Sequence, residues 1–204
     1  MIFGRDFVWF HLGKAAGNTL RMYFEANNYL VNPQWNWSRQ MTDPRSPTYF
    51  HANLEEAEEA FPKEDFSSKD KIINFRKIED WLPSFNNHIC YSSGRKDMTA
   101  ASIREHTVLG LAAGDKEGQW TSADKRLEKY TKNVYIKHYL RVEHLYDDFY
   151  KVFKNYGLRE QYSPSLAQLV CNASGGQKMT FTEEEKHQIY DRNPLWMSVQ
   201  RAIY

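Results

Sequence analysis

One short stretch of the chain combines a lysine with closely spaced glycines directly after an apolar run. Residues 7–20 read FVWFHLGKAAGNTL, so the β-prone run Phe7–Phe10 leads into Gly13, Lys14 and Gly17, and a helix is predicted to follow. Glycines let backbone N–H groups approach an anion, and a helix start adds unpaired N–H groups and the positive end of a dipole. The spacing therefore favours a loop that binds phosphate or sulfate over an ordinary turn with a solvated lysine.

Apolar runs typical of strands alternate with helical patterns along the whole chain. Strands are predicted at about 6–11, 48–51, 71–76 and 133–141. Helices are predicted at about 18–28, 53–61, 79–89, 99–113, 122–130, 143–156, 182–192 and from 194 onward. This alternation predicts an α/β fold with a mainly parallel central sheet flanked by helices, in one domain over residues 1–204.

Charged or titratable side chains follow three of the predicted strands. Lys14, His51 and Arg76 each come at or just after a strand end. In open α/β sheets ligands bind beyond the carboxyl ends of the strands, so these groups are expected at one edge of the sheet. A ligand site is therefore predicted there.

A second motif begins at Arg76, which ends a predicted strand and is followed eight residues later by Ser84. At this point the chain resembles the sulfotransferases that use 3′-phosphoadenosine 5′-phosphosulfate (PAPS). In that family a lysine loop after the first strand grips the 5′-phosphosulfate. An arginine ending a later strand, and a serine eight residues on, grip the 3′-phosphate. The resemblance thus implies a P-loop NTPase-like architecture of the Golgi-type or bacterial carbohydrate sulfotransferase branch.

The first loop, HLGKAAGNT, is similar to the family pattern PKTGGTS. It departs from it at Gly13, where proline is usual, and at Asn18, and the second motif lacks the usual Asn-Pro. The turn at 172–178 resembles the late loop that closes over the nucleotide in these enzymes. The resemblance implies that the residues in contact with PAPS are Lys14, Ala15, Ala16, Gly17, Asn18, Thr19, Arg76, Ser84, Ser174 and Lys178.

The family chemistry implies metal-independent, in-line transfer of a sulfuryl group from PAPS to the hydroxyl of a sugar or small molecule, leaving 3′,5′-adenosine bisphosphate (PAP). Lys14 is the predicted stabiliser of the leaving oxygen. His51 is the predicted base because an imidazole titrates near neutrality, and it is similar to a histidine of the uronyl 2-O-sulfotransferases. Two alternatives for the base are His11, beside the lysine, and Glu25, similar to a glutamate of some glucosaminyl sulfotransferases.

Two other functions compete with this interpretation. If the protein is a P-loop-like kinase, it should bind ATP or GTP in a Mg²⁺-dependent manner. The Walker motif of such enzymes is a glycine, four residues and then Gly-Lys-Ser/Thr. Here Lys14 is followed by Ala15 and Ala16, which does not fit that motif. A non-catalytic module predicts binding of the bisphosphate without turnover.

The composition narrows the class of protein further. Lys and Arg number 27 against 26 Asp and Glu, a net charge of +1, so no nucleic-acid partner is expected. The mean hydropathy of -0.74 and the lack of a long apolar run predict no membrane insertion. Met1 leads at once into a predicted strand, so no signal peptide is expected. Cys90 and Cys171 lack metal or redox spacing, which predicts reduced thiols and a cytoplasmic location.

Overall fold

The computed structural model of this protein describes residues 1–26, 51–92, 99–114, 116, 118–157 and 179–204. These residues form an α/β fold with a mixed, mostly parallel sheet flanked by helices, which confirms the predicted fold class. They fall into two compact units. The first draws on Met1–Phe75 and Tyr130–Asn172, and the second on Arg76–Lys129 and Ala173–Tyr204. The single domain expected over 1–204 stays a prediction.

The described residues contain both strands and helices. The strands are β1 Ile2–Phe3, β2 Phe7–Phe10, β3 Asp70–Phe75, β4 Leu111–Ala113, β5 Trp120–Ser122 and β6 His138–Arg141. The helices are α1 Gly17–Ala26, α2 Leu54–Ala60, α3 Ile78–Ser92, α4 Ala100–Val108, α5 Ala123–Thr131, α6 Leu145–Phe153, α7 Glu183–Arg192 and α8 Pro194–Ile203. Turns of 3₁₀ helix, Val142–His144 and Lys154–Tyr156, flank α6.

The main sheet has the strand order β1-β2-β3-β6. Strands β2, β3 and β6 run parallel, with Trp9 opposite Ile72 and Asn74 opposite Leu140, while β1 is antiparallel to β2. The carboxyl ends of the three parallel strands therefore lie at one edge of the sheet. This is the edge at which the sequence predicted the site.

Helices α1 and α6 cover one face of this sheet with an aromatic core. The buried side chains from β2, β3, β6 and the two helices include Phe7, Trp9, Leu20, Phe24, Ile72, Leu140, Phe149 and Phe153. The ring of Phe24 lies 4.9 Å from that of Phe153 and 5.2 Å from that of Phe149. Each such side chain contributes roughly 1.5–3 kcal/mol on burial, so this face holds β2 firmly beneath the loop that follows it.

The second unit is held together around the start of α8. The carboxylate of Asp124 accepts hydrogen bonds from the backbone N–H groups of Leu195 at 2.9 Å and Trp196 at 2.8 Å. The Trp196 ring packs 4.4 Å from that of Trp81 in α3. Asp124 thus supplies the cap that α8 lacks locally, since its own N-cap residue Asn193 makes no capping hydrogen bond.

Two predicted elements have other bounds in the structure. The helix predicted at 99–113 ends at Val108, because Gly110 turns left-handed at φ +71 and the chain continues as the β4–β5 hairpin. The strand predicted at 133–141 forms only over His138–Arg141, and Asn133, at its predicted start, is left-handed at φ 59. Of the strand predicted at 48–51, residues 48–50 lie outside the described residues and His51 lies in a turn. None of the helices in the described ranges has the length and apolar character needed to cross a membrane.

Candidate functional site

The connection between β2 and α1 has an unusual backbone. Lys14 and Ala16 both adopt the left-handed conformation, at φ 63 and φ 60, although neither is glycine. Each such residue costs of order 1–3 kcal/mol and persists where its surroundings require it, often at a ligand site. Alternation of left- and right-handed residues turns successive N–H groups towards one concave side, which is an anion-binding geometry.

The start of α1 leaves N–H groups for an anion. The helix begins with the hydrogen bond from Leu20 N–H to the Ala16 carbonyl at 3.1 Å. Within the described part of the chain, the backbone N–H groups of Ala16, Gly17 and Asn18 donate to no acceptor. The first turn also carries no acidic side chain that would compete with an anion. The positive end of the helix dipole and these N–H groups thus follow within four residues of the half-buried Lys14.

Gly17 is required for a steric reason. A Cβ built at this position would overlap the imidazole of His11 at Nε2, Cδ2 and Cε1. Its backbone is not left-handed, so the requirement comes from the approach of this ring and not from conformational freedom. The sequence-based argument that this glycine admits an anion missed its contact with His11.

A side chain from β3 anchors the loop from below. Asn74 is fully buried, and its Oδ1 accepts a hydrogen bond from the backbone N–H of Leu12 at 3.3 Å. The Leu12 carbonyl in turn accepts from Ala15 N–H at 3.2 Å. Sequence reasoning missed Asn74. A single amide side chain within the otherwise apolar run Ile72–Phe75 could have indicated a buried hydrogen-bonding residue.

The structure brings the predicted base, His51, to this loop. Its Nδ1 lies 3.2 Å from the carbonyl oxygen of His11, and the two rings stack with centroids 4.5 Å apart. A Cβ on Gly13 would lie 3.4 Å from Cε1 of His51. Two residues on, Asn53 caps α2 through a reciprocal capping box with Glu56. The cap fixes the chain just beyond the histidine.

The two histidines differ in their surroundings. A carbonyl can only accept, so Nδ1 of neutral His51 carries the proton and Nε2 carries the lone pair. Burial, and secondarily the charge of His51, lowers the pKa of His11 well below its usual value of 6.5. His51 is thus the better placed base of the two. The side chain of Glu25 lies outside the described residues.

The second motif lies in the second unit. Arg76 directly follows β3, and its backbone carbonyl accepts a hydrogen bond from Nε1 of Trp196 at 3.1 Å. Ser84 is half-buried in α3, and its hydroxyl bonds to no other described residue. Pro83 lies inside this helix. Ser174 and Lys178 lie outside the described residues.

Arg141, the last residue of β6, forms an ion pair with a carboxylate. Arg141 donates a bidentate pair of hydrogen bonds to Asp148 of α6, from Nε to Oδ2 at 2.8 Å and from Nη2 to Oδ1 at 2.7 Å. Its backbone N–H also donates to Oδ2 at 2.9 Å. This pair ties α6 to the sheet and is not a ready partner for an anion.

Comparison with known proteins adds no assignment. The chain matches no protein-family model, no curated protein and no solved structure. Among the described residues, no group of three or more His, Cys, Asp or Glu side chains is placed to hold a metal ion.

Proposed function

We propose that this protein is a sulfotransferase of P-loop-like architecture that moves a sulfuryl group from PAPS to a hydroxyl of a sugar or small molecule. The observation that carries the proposal is the β2–α1 connection. There a lysine, two left-handed residues and the open N–H groups of a helix start occur together. Arg76 after β3 and Ser84 on α3 follow in the order that recognition of PAPS requires, which favours this nucleotide over a simple anion.

Transfer from PAPS forms a bond from the acceptor oxygen to sulfur and breaks the bond from sulfur to the bridging oxygen. The acceptor oxygen attacks sulfur as the bond from sulfur to the bridging phosphate oxygen breaks, and that bond's electron pair passes to the phosphate. Lys14 stabilises the charge on the leaving oxygen, and the N–H groups of Ala16, Gly17 and Asn18 hold the other phosphate oxygens. The products are PAP and the sulfate ester.

The acceptor end needs a proton acceptor. His51 takes the hydroxyl proton at Nε2, because the His11 carbonyl occupies its Nδ1–H. The two centres are neighbours, since His51 lies against Gly13, the residue before Lys14. The imidazolium formed then loses its proton to solvent and completes the cycle.

The 3′-phosphate is the proposed ligand of Arg76 and Ser84. A guanidinium offers two parallel N–H donors to phosphate, and the serine hydroxyl adds one. Nε1 of Trp196 holds the Arg76 carbonyl, which restrains the backbone from which this side chain projects.

The binding test is calorimetric titration with PAP, with and without Mg²⁺, beside ATP. We expect metal-independent PAP binding that Lys14→Ala and Arg76→Ala each weaken, because each removes a charged donor to phosphate. Lys151→Ala and Arg201→Ala, which remove exposed cations on α6 and α8, are the matched controls. No PAP binding, or preference for ATP with Mg²⁺, would overturn the proposal in favour of a kinase-like site.

The turnover test measures transfer of labelled sulfate from PAPS to a panel of sugar and phenol hydroxyls. Loss of one preorganised donor costs about 10²–10³-fold in kcat, so we expect that loss in Lys14→Ala with an unchanged circular dichroism spectrum. PAP binding without transfer to any acceptor, together with indifference to His51→Ala, would identify a binding module instead.

A further inference from the structure

Two pairs of stacked aromatic rings lie beside the loop, and His11 is common to both pairs. Trp9 and His11 are two residues apart, and their ring centroids lie 5.6 Å apart at an interplanar angle of 29°. The ring of His51, from the turn before α2, lies 4.5 Å from that of His11 at 23°. The His11 ring is buried, and the His51 ring belongs to an exposed residue. A surface histidine is thus stacked on an internal one.

The His11 ring has little freedom to move. Gly17, the first residue of α1, approaches the His11 imidazole so closely that even a methyl group there would overlap it. Trp9, which stacks on the same imidazole, is fully buried in the aromatic core. His11 is therefore held between the sheet and the helix start that forms the proposed phosphate site.

His51 contacts His11 twice, through its ring face and through its Nδ1. The ring stack restricts the tilt of the His51 imidazole, and the carbonyl at 3.2 Å selects its Nδ1–H tautomer. Both contacts come from His11, whose ring can occupy its position only because residue 17 is a glycine. The orientation of His51 is thereby coupled to the geometry of the loop.

We propose that His11 is a positioning residue that fixes the ring orientation and tautomer of His51 beside Lys14. This inference rests on the proposed function, in which His51 is the base. Since burial keeps His11 neutral, its ring presents no charge against the imidazolium that forms when His51 accepts a proton. His11 acts through His51 and transfers no proton itself.

The test separates the loop from the base with three variants. Gly17→Ala displaces the His11 ring, so we expect both PAP affinity and turnover to fall. In His11→Ala/Gly17→Ala the added methyl occupies space left by the ring, so PAP affinity recovers while kcat stays low. His11→Ala alone keeps PAP affinity and KM for PAPS but loses about 10²-fold in kcat, the usual cost of a misplaced catalytic group. His106→Ala, which deletes another stacked histidine, on Trp120, is the matched control and leaves kcat unchanged.

Two further measurements keep the outcomes distinct. Nitrogen-15 NMR of the unliganded wild type should show His51 as the Nδ1–H tautomer. His11→Ala keeps the backbone carbonyl but removes the ring that directs Nδ1 towards it, so His51 should become a mixture of tautomers. The acid limb of the kcat–pH profile should persist in His11→Ala and vanish in His51→Ala. An unchanged kcat and tautomer in His11→Ala, equal losses of kcat and PAP affinity, or loss of the acid limb in His11→Ala would each overturn the inference. Absence of PAP binding by the wild type would instead overturn the proposed function, while the tautomer measurement still decides the role of His11.

Discussion

The two stacked histidines show how position decides what one residue type does. His11 is buried between a tryptophan and a helix start, and His51 lies in a turn at the surface. A buried imidazole resists protonation because its cation loses hydration. The same side chain is thus a neutral spacer at one position and a candidate base at the other.

Burial of His11 gives a pH dependence of stability with a definite sign. Its native pKa lies well below the unfolded value of about 6.5, so the unfolded chain binds more protons near that pH. Stability is fully present above about pH 6.5 and falls as the pH drops, by up to about 1.4 kcal/mol per pH unit. Urea unfolding at pH 8.0, 6.5 and 5.5 should show this slope, and His11→Gln should reduce it.

Controls for this slope come from two other histidines. His187→Gln, on the exposed surface of α7, should leave the slope unchanged. Burial also lowers the pKa of His138 in β6, so part of the slope should remain in His11→Gln. An identical slope in His11→Gln and wild type would contradict the prediction.

At the scale of elements, an ion pair joins β6 to α6 beside their apolar contacts. Burial opposes ionisation of Asp148, but its hydrogen bonds from Arg141 outweigh burial and hold the pKa of the carboxyl below its usual 3.8. Asp148 lies on the buried side of α6 with Phe149 and Phe153, while Asp147 is exposed. The ion pair therefore aligns the helix that covers the aromatic core.

Asp148→Asn should destabilise the protein by about 2–3 kcal/mol, because it removes a charged acceptor and leaves Arg141 without its carboxylate. Asp147→Asn, one residue earlier, is the control and should change stability by less than about 0.5 kcal/mol. The contribution of Asp148 is present above about pH 3.8 and is lost as the pH falls through the lowered native pKa. Equal denaturation midpoints for the two variants in urea at pH 7 would contradict this assignment.

At the scale of the whole molecule, residues far apart in the chain complete the same unit. Trp196 is fully buried beside Trp81, and its Nε1 reaches the carbonyl of Arg76. The carboxylate of Asp124 accepts from the first turn of the helix that carries this tryptophan. The C-terminal helix therefore supports the residue proposed to bind the 3′-phosphate.

Two substitutions at Trp196 test this support. Trp196→Ala should cost about 3–5 kcal/mol in stability by opening the core. Trp196→Phe should cost about 1 kcal/mol through the lost hydrogen bond. In the folded Phe variant, PAP should lose part of its affinity advantage over adenosine 5′-monophosphate, which lacks the 3′-phosphate. Ser198→Ala, at an exposed position of α8, is the control. If Trp196→Phe leaves the ratio of PAP affinity to adenosine 5′-monophosphate affinity unchanged, Trp196 supports packing alone.

Local features were predictable because their causes are local. The capping boxes of α2 and α7, the left-handed Gly157 after α6 and the run from β2 through Lys14 to α1 all follow from residues within a few positions of one another. The strand predicted at about 71–76 ends at Phe75, so Arg76 directly follows it. These features depend on capping, turn chemistry and apolar periodicity, which a single sequence displays.

Other elements were not predictable, since distant partners decide them. The helix predicted through residue 113 stops at Val108, where Gly110 turns and its carbonyl accepts from Nδ2 of Asn193 at 2.9 Å. Periodicity alone extended the helix because Leu109 and Leu111 fit its apolar spacing. A contact 83 residues away in sequence leaves no local signal.

By itself the sequence determined the α/β class, the loop between β2 and α1, and the expectation that Lys14, His51 and Arg76 follow strand ends. Only the tertiary structure decided that His11 is buried, that its ring requires a glycine at position 17, that Asn74 anchors the loop and that His51 stacks beside it. The physical reason is that secondary structure follows from neighbours along the chain. Burial, ring contacts and tautomers follow from neighbours in space, which packing alone brings together.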